Sequence, residues 1–219
     1  HVNCHETGAI EATGHKVCTA YSPDGKVTPA MVESVLAIHA DGGEHMVSPR
    51  LVYISDTTEI GTVYTKAELI ALRHCCDEHG LLLFLDGARL GSALTSPEND
   101  LTLPELAALT DVFTIGGTKN GTLFGEAVIM TVPCAHFRWH MKQRGGMLAK
   151  GRLLGVQFLT ILKDNLYFDI ARHANEMAFR LRDGFLALGY QFPVPSPSNQ
   201  QFPVMKVRTA EKLAVMGFE

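Results

Sequence analysis

Short, nearly continuous apolar runs alternate along the chain with longer stretches in which apolar residues recur at helical spacing. Lys16–Ala20, Leu51–Ser55, Leu81–Asp86, Val112–Ile115 and Ala127–Val132 are brief, apolar in character and bounded by turn residues, a pattern that predicts strands. Pro29–His39 predicts a helix, with Thr28 as N-cap and proline at the first helical position. Thr65–His79 predicts a second: Thr65 and Glu68 have capping-box spacing, and Gly80 follows the last turn. Pro104–Leu109 predicts a third, short one. The strand starts at Leu51, Leu81 and Val112 lie about thirty residues apart, the size of a βαβ unit. An unbroken run such as LLLFLD fits burial on both faces, so the expected class is α/β, a mostly parallel sheet covered by helices.

Beyond residue 133 the pattern changes. Cys134–Arg144, Leu148–Asn165 and Phe168–Leu188 all read as helices, with a break between Asn165 and Asp169. Phe192–Phe202 is rich in proline, serine and glutamine, as in a linker or an extended crossing between lobes. Val204–Val207 reads as the first strand of another unit. The expected division is a large domain over 1–190 and the start of a smaller C-terminal domain over 191–219.

Composition adds limits. The 219 residues are 46% hydrophobic and 19% charged, a globular balance. No apolar run reaches the ~18–20 residues needed to span a bilayer. The N-terminus has no basic-then-apolar order, although it opens without Met and a leader could precede it. Five scattered cysteines fit free thiols in a reducing compartment, the cytoplasm by default. The net charge of −4 is uneven: residues 1–110 hold 6 Lys/Arg against 15 Asp/Glu, residues 111–219 hold 13 against 8. The basic excess at Arg138, Lys142, Arg144, Lys150 and Arg152 reads either as solvated helix faces or as a patch meeting an anionic cofactor or a sister subunit. No nucleic-acid module accompanies it.

Two segments carry chemistry. Leu85-Asp86-Gly87-Ala88-Arg89 ends the most apolar strand, where α/β sheets bind ligands, and its small residues let a planar ring approach the carboxylate. The same spacing also suits an Asp that caps the next helix. Ile115-Gly116-Gly117-Thr118-Lys119-Asn120-Gly121 follows another strand. Thr118 precedes the lysine instead of following it, so this is not a nucleotide-hydrolase phosphate loop. A Schiff-base lysine, made nucleophilic by desolvation, fits better, with an exposed lysine in a glycine turn as the plain alternative. His1 with Glu6 and Gly8 carries no signal alone.

Together, HVNCHETGAIEATGHKV, ISDTTEIGTVYT, LFLDGARLGSAL and DVFTIGGTKNGTLFGEA resemble, in order and spacing, the threonine aldolase branch of the fold-type I pyridoxal-phosphate enzymes. The DGAR and GGTKNG segments are the specific part. The resemblance implies a carbon–carbon lyase that uses pyridoxal 5'-phosphate to cleave L-threonine or L-allo-threonine to glycine and acetaldehyde. It implies that Lys119 binds the cofactor aldehyde, Asp86 the ring nitrogen and Arg89 the phenolic oxygen, and that His1 lies on the ring face and assists proton transfer. It further implies an amino acid as substrate and a homodimer or homotetramer with sites at the subunit interface. One departure is that the segment Asp56-Thr57-Thr58-Glu59 lacks a histidine that some members have, which leaves His1, a water or Glu59 as the base. The family's phosphate loop and carboxylate-binding arginine are expected outside this stretch, with Lys150 or Arg152 as candidate phosphate contacts.

Three rival readings stand beside it. One is a β-eliminating or decarboxylating lyase on the same scaffold. Another is a non-catalytic α/β ligand-binding module, though no GxGxxG follows a first strand. The last is a metal protein, suggested by His74, Cys75, Cys76, Glu78 and His79 and by the pair His136 and His140. No CxxC pair or HExxH accompanies these, so no metal is expected.

Overall fold

The computed structural model describes residues 1–218. Local signals set most element ends. Thr28 accepts a hydrogen bond from the Met31 amide and starts α1 (Pro29–Asp41), with proline in its first turn. Thr65 and Glu68 close a capping box on α2 (Lys66–His79), and Gly80 ends that helix at φ +63°. Thr102 and Glu105 repeat the device on α4 (Leu103–Leu109). Between them run β1 (Leu51–Ser55), β2 (Leu82–Asp86) and the short α3 (Leu90–Leu94). β3 (Val112–Gly116) and β4 (Glu126–Met130) follow. The helical remainder is α5 (Phe137–Gln143), α6 (Arg152–Leu162), α7 (Leu166–Ala187) and α8 (Val207–Val215).

The sheet runs β1-β2-β3-β4, with the first three strands parallel and β4 antiparallel to β3. This is the expected α/β class. Ile54, Leu83, Leu85, Phe113 and Ile115 are buried and meet Leu69, Leu72 and Cys76 of α2, Leu90 of α3, Leu106 of α4 and Tyr167 of α7 in one core. At the amino end of the strands, Arg73 bridges Asp111 at 2.7 Å while the same carboxylate accepts the Leu83 amide at 2.7 Å, which fixes β2 against β3. On the other side of the core, buried Asn175 of α7 binds Ser92 through Oδ1 at 2.6 Å and through Nδ2 at 3.0 Å.

Two expected strands are absent. Lys16–Ala20 pairs with nothing: it is mostly exposed, and its one anchored side chain, Cys18, lies 3.3 Å from His39 of α1. Val204 makes a single antiparallel bridge to Gln191, and Val207 already begins α8. A lone strand without a partner leaves its amides to water, so apolar composition alone does not make one. The break near Asn165 is real: Asp164 and Asn165 turn at φ +53° and +62° between α6 and α7. The proline-rich segment is anchored to the body. Ser196 donates to the Gly61 carbonyl at 3.1 Å, and Thr57 donates to Gln200 at 2.7 Å.

One acid lies deep in this frame. The Asp56 amide, just past β1, donates to the Asp86 carbonyl at 2.9 Å, and its carboxyl group accepts from the Tyr64 amide at 3.4 Å. Burial pushes that carboxyl up to about 8 against an ordinary 3.8, an effect which the Tyr64 amide and the Lys26 charge only partly oppose. A carboxyl raised in the folded state holds its proton there while the unfolded chain loses it. Its stabilising contribution is full below 3.8, declines as pH rises towards about 8 and is gone above that. Asp56→Asn, uncharged throughout, therefore flattens this part of the stability profile. Denaturant midpoints for both proteins from pH 4.5 to 9 check it, and parallel profiles would refute the assignment.

Candidate active site

The carboxyl ends of β2 and β3 are joined by a dense set of backbone contacts. The Gly87 amide donates to Thr114 Oγ1 at 2.8 Å, and the Gly116 amide donates to the Gly87 carbonyl at 2.9 Å. Buried Asn120 then donates to the carbonyls of Ala88 at 3.0 Å and Gly116 at 2.9 Å. Side chains are excluded here: a Cβ on Gly87 would lie 2.0 Å from the Thr114 carbonyl oxygen, and one on Gly116 would lie 2.4 Å from that of Ala88. The glycines read from the sequence as room for a ligand thus serve first to let two loops touch.

This junction fixes Asp86 and the loop that bears Lys119 side by side. The Asp86 carboxylate accepts from the Tyr53 hydroxyl and, at 2.9 Å, from the Ala88 amide, so it is held in one orientation at the strand end. The phenol of Tyr53, stacked on Phe84 at 5.4 Å between ring centroids, is pushed far up in pKa by burial and by the Asp86 carboxylate it serves. Tyr53 therefore stays a donor. The side chain of Arg89, at the start of α3, has no hydrogen bond or ion pair among the described residues.

Lys119 departs from one expectation. The residue is exposed and makes no ion pair among the described residues, where a water-shielded amine was predicted. The reason is local: the loop from Gly117 to Gly125 leaves the sheet, and Lys119 stays exposed although α6 and Ile170 of α7 lie against the loop's glycines. α6 also binds the loop's backbone. Gln157 accepts from the amides of Leu123 at 2.8 Å and Phe124 at 3.3 Å and donates to the Phe124 carbonyl at 3.2 Å. Lys150 and Arg152, near the start of that helix, are exposed.

His1 is held by two carboxylates, Glu6 at 2.5 Å from Nε2 and Glu59 at 3.2 Å from Nδ1. His1 and Glu59, alternatives from the sequence, are one hydrogen-bonded unit. Both ring nitrogens of His1 face carboxylates.

Sequence reasoning missed Asn120, Tyr53, Gln157 and Glu126. Glu126 opens β4 opposite Gly116. Its carboxyl is raised by loss of solvent and then by the charge of Asp86, opposed by the amides of Gly117 and Thr118 and the charge of Lys119. It is thus a common neighbour of the two residues singled out from the motifs. The GEA that follows the lysine loop was visible, but nothing in it said which way the glutamate points.

A carboxylate and a lysine loop at adjacent parallel strand ends, with α/β layering, define a fold-type I pyridoxal-phosphate scaffold. The sequence profile of the Beta-eliminating lyase family matches residues 1–208, and the chain belongs to that family. It is 35% identical to a low specificity L-threonine aldolase of Pseudomonas sp. (strain NCIMB 10558), a match covering 100% of this chain and 64% of that protein. A second low specificity L-threonine aldolase, from Pseudomonas aeruginosa, is 32% identical with the same coverage. The solved structure of Leishmania major threonine aldolase superposes with a TM-score of 0.93 at 54% identity, over 98% of this chain and 63% of that one. The chain therefore spans a little under two-thirds of the relatives it matches. Enzymes of this kind depend on pyridoxal phosphate.

Asn120→Ala strands two buried carbonyls, and a loss of about 1–3 kcal/mol is expected from the desolvated acceptors. Asn120→Asp, equal in size but without the amide donors, is expected to fall in the same range. Chemical denaturation of both variants measures it; wild-type stability in the aspartate variant would show that the junction does not need the amide.

Proposed function

We propose that the full-length protein cleaves L-threonine or L-allo-threonine to glycine and acetaldehyde with pyridoxal 5'-phosphate. The observation that carries this is the fixed pairing of Asp86 with the Lys119 loop, in a chain 54% identical to a threonine aldolase. The residues suit the cofactor's groups. Lys119 and Arg89 are cations without partners among the described residues, Asp86 is an oriented carboxylate, and the glycine junction leaves the strand ends clear of side chains.

Bound pyridoxal 5'-phosphate supplies an electron-accepting ring for the charge left at Cα when a carbon–carbon bond breaks. In this reading Lys119 would hold the cofactor at its aldehyde carbon. Asp86, kept in place by Tyr53 and Ala88, holds a proton on the ring nitrogen. Arg89 faces the phenolic oxygen. His1, oriented by Glu59, takes the proton of the β-hydroxyl.

The exposed lysine bears on assembly. Leu123 in the lysine loop is 87% exposed, and Leu159 on the outer face of α6 is 71% exposed, beside Leu153 and Val156. An apolar surface continuous with the catalytic loop supports a homodimer or homotetramer in which a second copy covers Lys119. The five cysteines are all free, which suits the reducing cytoplasm we assign to it. No helix among the described residues is long and apolar enough to cross a membrane. The segment from 191 onward we read as the start of the smaller domain.

Borohydride reduction of the full-length protein is expected to leave a pyridoxyl adduct on the peptide containing Lys119. Lys119→Ala is expected to lose the visible absorbance and at least about 100-fold of the rate at which acetaldehyde forms. An adduct on another lysine would overturn the assignment. Pyruvate from serine with no acetaldehyde from threonine would favour β-elimination. Leu159→Glu is expected to shift the mass in solution towards monomer and lower cofactor retention together; an unchanged oligomer would place the interface elsewhere.

A further inference from the structure

At the end of the molecule away from Asp86, three metal-binding side chains converge. Cys75 and His79 lie four residues apart on α2 and so share a face. Glu33 comes from α1, which packs beside that face through Val32. The thiol sulfur, an imidazole nitrogen and a carboxylate oxygen all lie within 4.8 Å of one another. None of the three has a hydrogen bond or ion pair among the described residues.

We propose that Glu33, Cys75 and His79 form a zinc site that ties α1 to α2, with water as the fourth ligand. One sulfur, one nitrogen and one oxygen donor suit zinc, a borderline-soft ion, better than calcium or magnesium, which take oxygen alone. The surrounding charge also favours a dication. Glu33 and Glu78 both place negative charge at Cys75, and Cys75 and His79 occupy the last turns of α2, the negative end of that helix. Zinc–ligand bonds of about 2.0–2.3 Å put tetrahedral donors roughly 3.3–3.8 Å apart. Closing from 4.8 Å needs only the rotation of Glu33 and His79, both exposed, onto the buried and fixed Cys75. On binding, the thiol gives its proton to solvent and its sulfur a pair of electrons to the metal; a thiolate and a carboxylate then neutralise the ion.

Sequence spacing hid the site because the third ligand lies on another helix. The neighbouring candidates lie outside the group: His74 pairs with Glu78 at 3.4 Å, and fully buried Cys76 is not among the three converging side chains. The site also stands apart from the chemistry. His79 ends α2 just before the amino end of β2, whereas Asp86 ends that strand.

The test uses chelator-treated, cofactor-loaded full-length protein titrated calorimetrically with zinc chloride. One ion per chain is expected, and zinc-edge X-ray absorption is expected to show one sulfur at about 2.3 Å with the remaining ligands nitrogen or oxygen. Glu33→Gln, Cys75→Ser and His79→Ala should each weaken binding at least about tenfold, the scale on which even outer-shell partners act. Because Glu33 and His79 are exposed, those two variants keep the test valid should Cys75→Ser fail to fold. Cys18→Ser, which removes the thiol beside His39, should leave binding and stoichiometry unchanged. Tight binding that survives His79→Ala, binding lost in Cys18→Ser, or no heat at micromolar zinc would each overturn the proposal.

Discussion

Everything at the carboxyl end of the sheet depends on two loops being able to touch. The segment after β2 and the segment after β3 meet at backbone distance because Gly87 and Gly116 have no side chains to separate them. Asn120 then satisfies both carbonyls that this contact would otherwise bury without partners. Without the glycines the loops would splay; without the asparagine their contact would cost more than it returns. Asp86 and Lys119, far apart in sequence, are neighbours only through this junction.

The same constraint explains why the acid is well fixed and the amine is not. Asp86 lies at the end of a strand with neighbours on both sides, so a phenol and an amide can orient it. Lys119 lies in a loop that must leave the sheet and return as antiparallel β4, and such a loop gets support only where a helix reaches it. Gln157 of α6 provides that support through the backbone of Leu123 and Phe124, while the side chains of those residues face away. A loop held by its backbone and apolar on its outer side is built to be covered by another surface. The exposure of the amine in one chain and the apolar rim around it are therefore two results of one geometry.

Much of the frame was legible in the sequence because its signals are local. Thr28, Thr65 and Gly80 mark helix ends by hydrogen bonds within a few residues, and the runs at Leu51, Leu81 and Val112 are too apolar to lie anywhere but in a covered sheet. Lys16–Ala20 and Val204–Val207 misled for the opposite reason. A strand exists only if another offers it hydrogen bonds, and composition does not report a partner. In the site, the motif residues Asp86, Arg89 and Lys119 stood out by their surroundings in sequence. Tyr53, Gln157 and Glu126 did not, since each acts on a residue distant in the chain and none belongs to a short motif.

The two ends of the sheet divide the work. At the amino ends the contacts are ion pairs and helix packing: Arg73 with Asp111, and α1 against α2 at Glu33, Cys75 and His79. These contacts can tighten without disturbing a ligand. At the carboxyl ends the contacts run through the backbone and the side chains of Thr114 and Asn120, and around them lie an oriented acid and two cations without side-chain partners among the described residues. Asp56 shows the alternative beside them: fully enclosed, it keeps its proton and bonds quietly to the next loop. Asp86, Arg89 and Lys119 are instead half-buried or exposed, with Asp86 oriented by Tyr53 and Ala88, and this is what distinguishes a place prepared for a ligand from a well-packed strand end.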